Sequence, residues 1–164
     1  MIQKIKQNIW QFTFQSFGSS VYLIKLNKNI LIDTGSSSNK NELISSLKEL
    51  NLSPSEINII ILTHNHWDHT GNTDLFENAK VYGSKKDFKN EKILEIDELN
   101  IPEFKIIHTP GHSKGSFCIL YEEVLFSGDT IFHHGGIGRM DLPGGSEQDM
   151  KNSLEILQKL NIKF

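Results

Sequence analysis

Directly after the apolar run Ile57-Asn58-Ile59-Ile60-Ile61-Leu62, the chain reads Thr63-His64-Asn65-His66-Trp67-Asp68-His69-Thr70-Gly71. The run has the β-branched content of a buried strand. Three imidazoles and one carboxylate therefore fall within six residues at the end of a core element. Polar groups crowded at an apolar edge are costly without partners, and borderline divalent metals take imidazole and carboxylate readily. A metal centre is the expectation. His64 and His66 are two apart, so an extended backbone turns both to one side. This differs from the helical zinc pattern His-Glu-x-x-His, in which two ligands share a helix face. Asp68 and His69 need a turn to reach inward, and Thr70-Gly71-Asn72 supplies the chemistry for a turn into a short helix.

A chain of 164 residues with a net charge of -3 predicts one domain over 1–164 and no nucleic-acid footprint. Cys118 is the single cysteine, which excludes an intramolecular disulfide and fits a reducing compartment. No stretch approaches the length of a membrane span, and the N-terminus lacks the apolar core of a signal peptide. The expected setting is cytoplasmic, with no membrane partner.

Strands are predicted over Ile9 to Phe14, Val21 to Leu26 and Ile30 to Asp33, separated by the turn segments Gly18-Ser19-Ser20 and Asn27-Lys28-Asn29. A helix follows, with Leu43, Ile44, Leu47 and Leu50 on one face and Ser37 or Ser38 as N-cap. After the histidine cluster, Thr73 to Asn78 reads as helix, Lys80 to Tyr82 as strand and Lys85 to Phe88 as one turn, while 90–103 is ambiguous. Strands return at Phe104 to Thr109, Ser116 to Tyr121 and Val124 to Phe126. The last predicted element is a helix from Glu147 to Leu160, capped by Ser146, with Met150, Leu154, Leu157 and Leu160 on one face.

Two loops at strand ends offer further ligands: His108-Thr109-Pro110-Gly111-His112-Ser113 presents His112, and Ser127-Gly128-Asp129-Thr130 presents Asp129. Either loop alone is an ordinary surface turn. Together with the first cluster they point to one metal site.

These segments, with Leu31-Ile32-Asp33-Thr34-Gly35 before them and Gly136-Ile137-Gly138-Arg139-Met140-Asp141-Leu142-Pro143-Gly144-Gly145 after them, resemble the metallo-beta-lactamase superfamily and its short glyoxalase II-like hydrolases. The similarity runs from about Val21 to the C-terminus. It implies an α/β (α+β) fold, the αβ/βα four-layer sandwich of two mixed sheets flanked by helices. It also implies two divalent metal ions, zinc in the first instance, with iron or manganese fitting the same ligands. His64, His66 and His112 would hold the first ion, Asp68 and His69 the second, and Asp129 would bridge them. The implied activity is a metallo-hydrolase of glyoxalase II type, in which metal-activated water attacks a thioester or related acyl substrate and Asp68 orients that water. Asp33 is expected either to accept an N–H from a ligand imidazole or to cap the turn after its strand.

In the family a further Pro-Gly-His segment after one more strand completes the second site, and in this chain that strand would begin at Asn161-Ile162-Lys163-Phe164. The expectation is thus a domain lacking its last strand and last ligand, with a weakened second site and an open sheet edge. Two alternatives follow. The set His64, His112 and Asp129 suits a mononuclear iron enzyme resembling the persulfide dioxygenases, and the shortened C-terminus suits a metal-binding domain without turnover. His133 and His134 are expected as a partly exposed pair, Cys118 as buried packing, and Trp67 either as cleft lining or as packing beneath its loop. Arg139 is expected to contact an acidic substrate group or to form a salt bridge within its loop.

Overall fold

The computed structural model describes residues 1–160, which fall in two compact units, 1–82 and 83–160. The first unit is built on a mixed sheet. Its strands are β1 (Ile2–Lys6), β2 (Ile9–Phe12), β3 (Val21–Lys25), β4 (Asn29–Ile32), β5 (Ile59–Ile61) and β6 (Lys80–Gly83), side by side in sequence order. Through β4 the neighbours run antiparallel; β4 to β5 and β5 to β6 are parallel, with Leu31 opposite Ile60 and Ile60 opposite Val81. The parallel step needs a crossover, and α1 (Lys40–Glu49) supplies it. Leu43 and Leu47 are fully buried, while Ile44 and Leu50 at the edge of the same stripe are half-buried. All three residues of β5 are buried, as expected of a strand flanked by parallel neighbours.

The second unit carries the short strand β7 (Ile93–Glu95) and an antiparallel sheet of β8 (Phe104–His108), β9 (Phe117–Tyr121) and β10 (Val124–Phe126), with β9 in the centre. α3 (Glu147–Gln158) packs Leu157 against Ile107 and Cys118, with Leu120, Leu125 and Ile131 around them. Ser146 caps α3 by accepting the Asp149 N–H at 3.2 Å.

Several expectations change in detail. β1 is an added strand. Its apolar residues Ile2 and Ile5 break the period-2 alternation, because the register shifts between Lys4 and Lys6, and its lysines suit an edge position. The helical turn comes earlier than Thr70-Gly71 implied, as α2 (Trp67–Thr70) inside the histidine cluster. Thr73 to Asn78 contracts to one 3₁₀ turn, Thr73–Leu75, and the N-cap of α1 is Asn39, preceded by a 3₁₀ turn that begins at Ser37. The ambiguous 90–103 stretch holds β7 and the 3₁₀ turn Ile96–Glu98. The expectation about a missing strand at 161–164 lies outside the described residues. Among those described, no helix is long and apolar enough to cross a membrane.

Candidate metal centre

In the first unit the histidine cluster emerges from the C-terminal end of β5, where crossovers of parallel strands leave room for ligands. His66 is extended, with φ of -104° and ψ of 148°, and serves as N-cap of α2. The ring of His64 lies 4.7 Å from that of His66 and 4.1 Å from that of His69, centre to centre. The three imidazole rings therefore lie side by side within this unit. Asp68 sits half-buried in the first turn of α2, while His64 and His69 are buried.

Asp33 organises this cluster. It follows β4 in the left-handed region, with φ of +58°, which Asp tolerates better than most residues. Its carboxylate accepts the Thr63 backbone N–H at 2.8 Å, the Thr63 hydroxyl at 2.9 Å and the Nδ1–H of His69 at 2.7 Å. Of the two expected roles, the carboxylate takes that of imidazole acceptor. Because the Thr63 hydroxyl donates to Asp33, its oxygen can accept the Nδ1–H of His64, 3.1 Å away. Both rings are then held as tautomers whose Nε2 carries the lone pair, the form that ligates a metal. The 33–37 loop is bound to α2 as well. Thr34 N–H donates to the His69 carbonyl, Gly71 N–H to the Gly35 carbonyl, and the Asn72 amide to the carbonyls of Thr34 and Ser36. A Cβ on Gly71 would sit 2.4 Å from the Ser37 nitrogen, so this crossing requires glycine.

In the second unit His112 is buried at the end of a tight loop. Gly111 holds φ of +144° with its Cα against the Met150 backbone, and its carbonyl accepts the Ser146 N–H. Ser153 on α3 donates to the Pro110 carbonyl at 2.7 Å. From the other side Asp87 accepts the Ser113 hydroxyl at 2.5 Å and the Gly115 N–H at 2.7 Å. The α3 N-terminus and Asp87 thus fix the loop that carries His112.

The His112 Nδ1 lies 2.6 Å from the Arg139 carbonyl oxygen, which can only accept, so Nδ1 bears the proton. The Nε2 of the neutral ring is then an acceptor facing Asp129 Oδ2 at 3.3 Å. Two acceptors so close are stable only with a proton or a metal cation in common, which is the donor chemistry a metal site asks for. Gly138 makes this approach possible, since a Cβ there would meet the Asp129 carbonyl at 2.1 Å and His112 Nδ1 at 2.9 Å. Gly138→Ala is expected to cost about 1–3 kcal/mol through overpacking. Thermal denaturation with and without added metal checks this, the shift on metal addition shrinking along with the melting temperature.

Asp33 stood among the sequence candidates, whereas Thr63, Asp87 and the Arg139 carbonyl did not. A main-chain carbonyl leaves no sequence signal. The Arg139 side chain forms a bidentate exposed pair with Asp141, at 2.7 and 2.6 Å, and takes the salt-bridge alternative. Those hydrogen bonds lower the Asp141 carboxyl to about 2. It therefore stays ionised as pH falls through the usual carboxylate range, and the pair dissolves only near pH 2. An NMR titration of Asp141 is expected to give that midpoint, and Arg139→Ala to return it toward about 3.9. His133 and His134 are an exposed pair with ring centres 4.0 Å apart, and Cys118 is fully buried, its thiol pushed up by burial. Trp67 is 64% exposed and does not pack beneath its loop.

Among the described residues, side chains that could hold a metal ion are His64 and His66 in the first unit and His112 and Asp129 in the second. The sequence profile of the Metallo-beta-lactamase superfamily matches residues 15–86 and 79–164. A protein of Methanocaldococcus jannaschii named probable metallo-hydrolase is 38% identical over 132 residues, spanning 80% of this chain and 64% of its own length. A hydroxyacylglutathione hydrolase of Buchnera aphidicola subsp. Baizongia pistaciae is 39% identical over 143 residues, spanning 80% of this chain and 53% of its own. The chain thus spans less than two thirds of the length of either relative. The crystal structure of TTHA1623 in a di-iron-bound form superposes with a TM-score of 0.76 at 27% identity, covering 92% of this chain and 86% of that one. The α/β fold class expected from the sequence is the observed one. On its profile match over both units, the chain belongs to the metallo-beta-lactamase superfamily.

Proposed function

We propose that the chain is a metal-dependent hydrolase acting on a small-molecule thioester or related acyl compound. In this reading His64, His66 and His112 hold a first divalent metal, Asp68 and His69 a second, and Asp129 is shared between them. The observation that carries it is the matched orientation of the imidazoles. Asp33 fixes the Nδ1 proton of His69, Thr63 receives that of His64, and the Arg139 carbonyl fixes that of His112, each leaving Nε2 as the ligating atom. The hydroxyacylglutathione hydrolase likeness supports the thioester class.

A bound metal supplies Lewis acidity, which polarises an acyl carbonyl and makes water nucleophilic at neutral pH. The chain's own groups do the rest. Asp68, half-buried at the head of α2, would take the proton of the attacking water on its carboxylate. The new C–O bond forms as the C–S bond breaks, and the departing thiolate takes that proton back from Asp68, leaving as thiol beside the carboxylic acid and restoring the carboxylate. Asp33 and the Arg139 carbonyl orient the imidazoles and exchange no proton. The test is thiol release from an acyl thioester by the purified chain, before and after chelation and metal return, with metal content measured on the same sample. Activity that disappears with two zinc or mixed ions per chain and returns with them supports the reading. One iron per chain with oxygen consumption on a persulfide overturns it.

A further inference from the structure

β8 and β10 both run antiparallel to β9, so they end at the same edge of the sheet in the second unit. The loops that leave those ends carry the two candidate ligands of this unit, His112 three residues after Thr109 and Asp129 immediately before Thr130. Thr109 and Thr130 are 0% and 1% exposed, and their hydroxyl oxygens lie 2.8 Å apart. Cys118 of β9 completes the group, its Sγ 3.4 Å from the Thr109 hydroxyl and 3.7 Å from the Ser127 carbonyl oxygen. A carbonyl only accepts, so the thiol donates to Ser127, and burial pushes the thiol up and keeps that proton in place. Sγ is then the acceptor for the Thr109 O–H, and the Thr109 oxygen is the acceptor for the Thr130 O–H. The Thr130 backbone N–H donates to the same Ser127 carbonyl at 3.0 Å, and the Thr109 N–H to the Ser116 carbonyl at 2.9 Å. A closed ring of hydrogen bonds thus joins the loop after β8 to the loop after β10.

Through Cys118 the ring borders the apolar cluster of Ile107 and Leu157. Two valines would have the same shape there and no hydroxyls to desolvate, a swap that is nearly neutral for stability when both partners change together. Packing alone therefore does not call for the polar pair. Distance does distinguish the two. Hydroxyl oxygens in a hydrogen bond sit about 2.7–2.8 Å apart, whereas carbon atoms in contact sit about 3.5–4.0 Å apart. Valines would spread the two loops by about 1 Å at this point, beyond the roughly 0.5 Å within which a working constellation must be held. We propose that the Thr109–Thr130 hydroxyl pair sets the spacing of His112 Nε2 and Asp129 Oδ2, which are 3.3 Å apart, making both threonines positioning residues of the metal centre. The proposal rests on the reading above that His112 and Asp129 ligate a metal.

The test measures zinc affinity, by competition with a chromogenic chelator, beside the melting temperature of the metal-free chain. Thr109→Val/Thr130→Val removes both hydroxyls and leaves no buried donor without an acceptor. It is expected to melt within about 2 °C of the natural chain, yet to bind zinc about 10- to 100-fold more weakly, the range for losing a group that orients a ligand. Thr109→Ser/Thr130→Ser keeps the hydroxyl pair and gives up two buried methyls. It is expected to melt lower and still bind zinc as tightly as the natural chain. That crossed order, the more stable variant binding metal less well, is one that a merely structural role does not produce. Thr130→Val alone carries the test if the double valine variant fails to fold, because Thr109 still donates to Cys118 and no donor is orphaned; about 10-fold weaker zinc binding is expected of it. Zinc affinity unchanged in the valine variants overturns the proposal and leaves the ligand set standing, as does a serine pair that binds zinc as weakly as the valine pair. A natural chain that takes up no zinc overturns the proposal together with the metal reading beneath it.

Discussion

His112→Ala is expected to lower metal affinity by at least about 100-fold, because losing a group that only orients a ligand already costs about 10- to 100-fold. In the natural chain the ring is fixed at Nδ1 by the Arg139 carbonyl and places Nε2 3.3 Å from Asp129. Alanine removes the proposed ligand and leaves that carbonyl to find another donor, an additional cost of about 1–3 kcal/mol. The two effects separate by linkage. At a metal concentration 100 times its dissociation constant, the natural chain gains about 2.7 kcal/mol of stability, whereas a variant bound 100-fold more weakly gains only about 0.4. Melting temperatures in chelator and in metal measure both quantities. Hydrolysis should fall in step with occupancy and recover in part at high metal concentration, which a merely misfolded variant would not do. A His112→Ala chain that keeps its full metal-induced shift would remove His112 from the ligand set.

What the sequence made legible follows from how locally each feature is encoded. β5 was readable because Ile59, Ile60 and Ile61 are apolar on both faces, as a doubly flanked strand must be, and α3 because Ser146, Met150 and Leu157 mark its cap and stripe. β1 was not, because an edge strand with Gln3, Lys4 and Ile5 exposed and a shifted register carries neither alternation nor an apolar run. The imidazoles were legible from density alone. Their orientation was not, since it depends on the Arg139 carbonyl and on Thr63, whose hydroxyl serves Asp33 and His64 at once. Asp87 shows the same limit. It lies 25 residues before His112 in a charged stretch with no motif, and its role in clamping that loop exists only through the fold.

Asp33 gives the sharpest separation between holding the fold and holding the metal, because alanine and asparagine are expected to fail differently. In Asp33→Ala the Thr63 N–H, the Thr63 hydroxyl and the His69 Nδ1–H all lose their buried acceptor. Each unsatisfied donor costs about 1–3 kcal/mol. Alanine at φ of +58° adds about 1–2 kcal/mol of backbone strain. A loss of at least about 3 kcal/mol follows, readable in urea unfolding. Asparagine tolerates the left-handed backbone, and its amide oxygen can still accept the Thr63 N–H. Its NH₂ then faces His69, which can meet a donor only by moving its proton from Nδ1 to Nε2. That tautomer presents an N–H where a ligand needs a lone pair. Asp33→Asn is therefore expected to keep most of the stability while losing about 10- to 100-fold in metal affinity. ¹⁵N–¹H spectra of the His69 ring should show the proton on Nε2. If Asp33→Asn bound metal as the natural chain does, with the proton still on Nδ1, Asp33 would be a turn residue only and the orientation of His69 would need another cause.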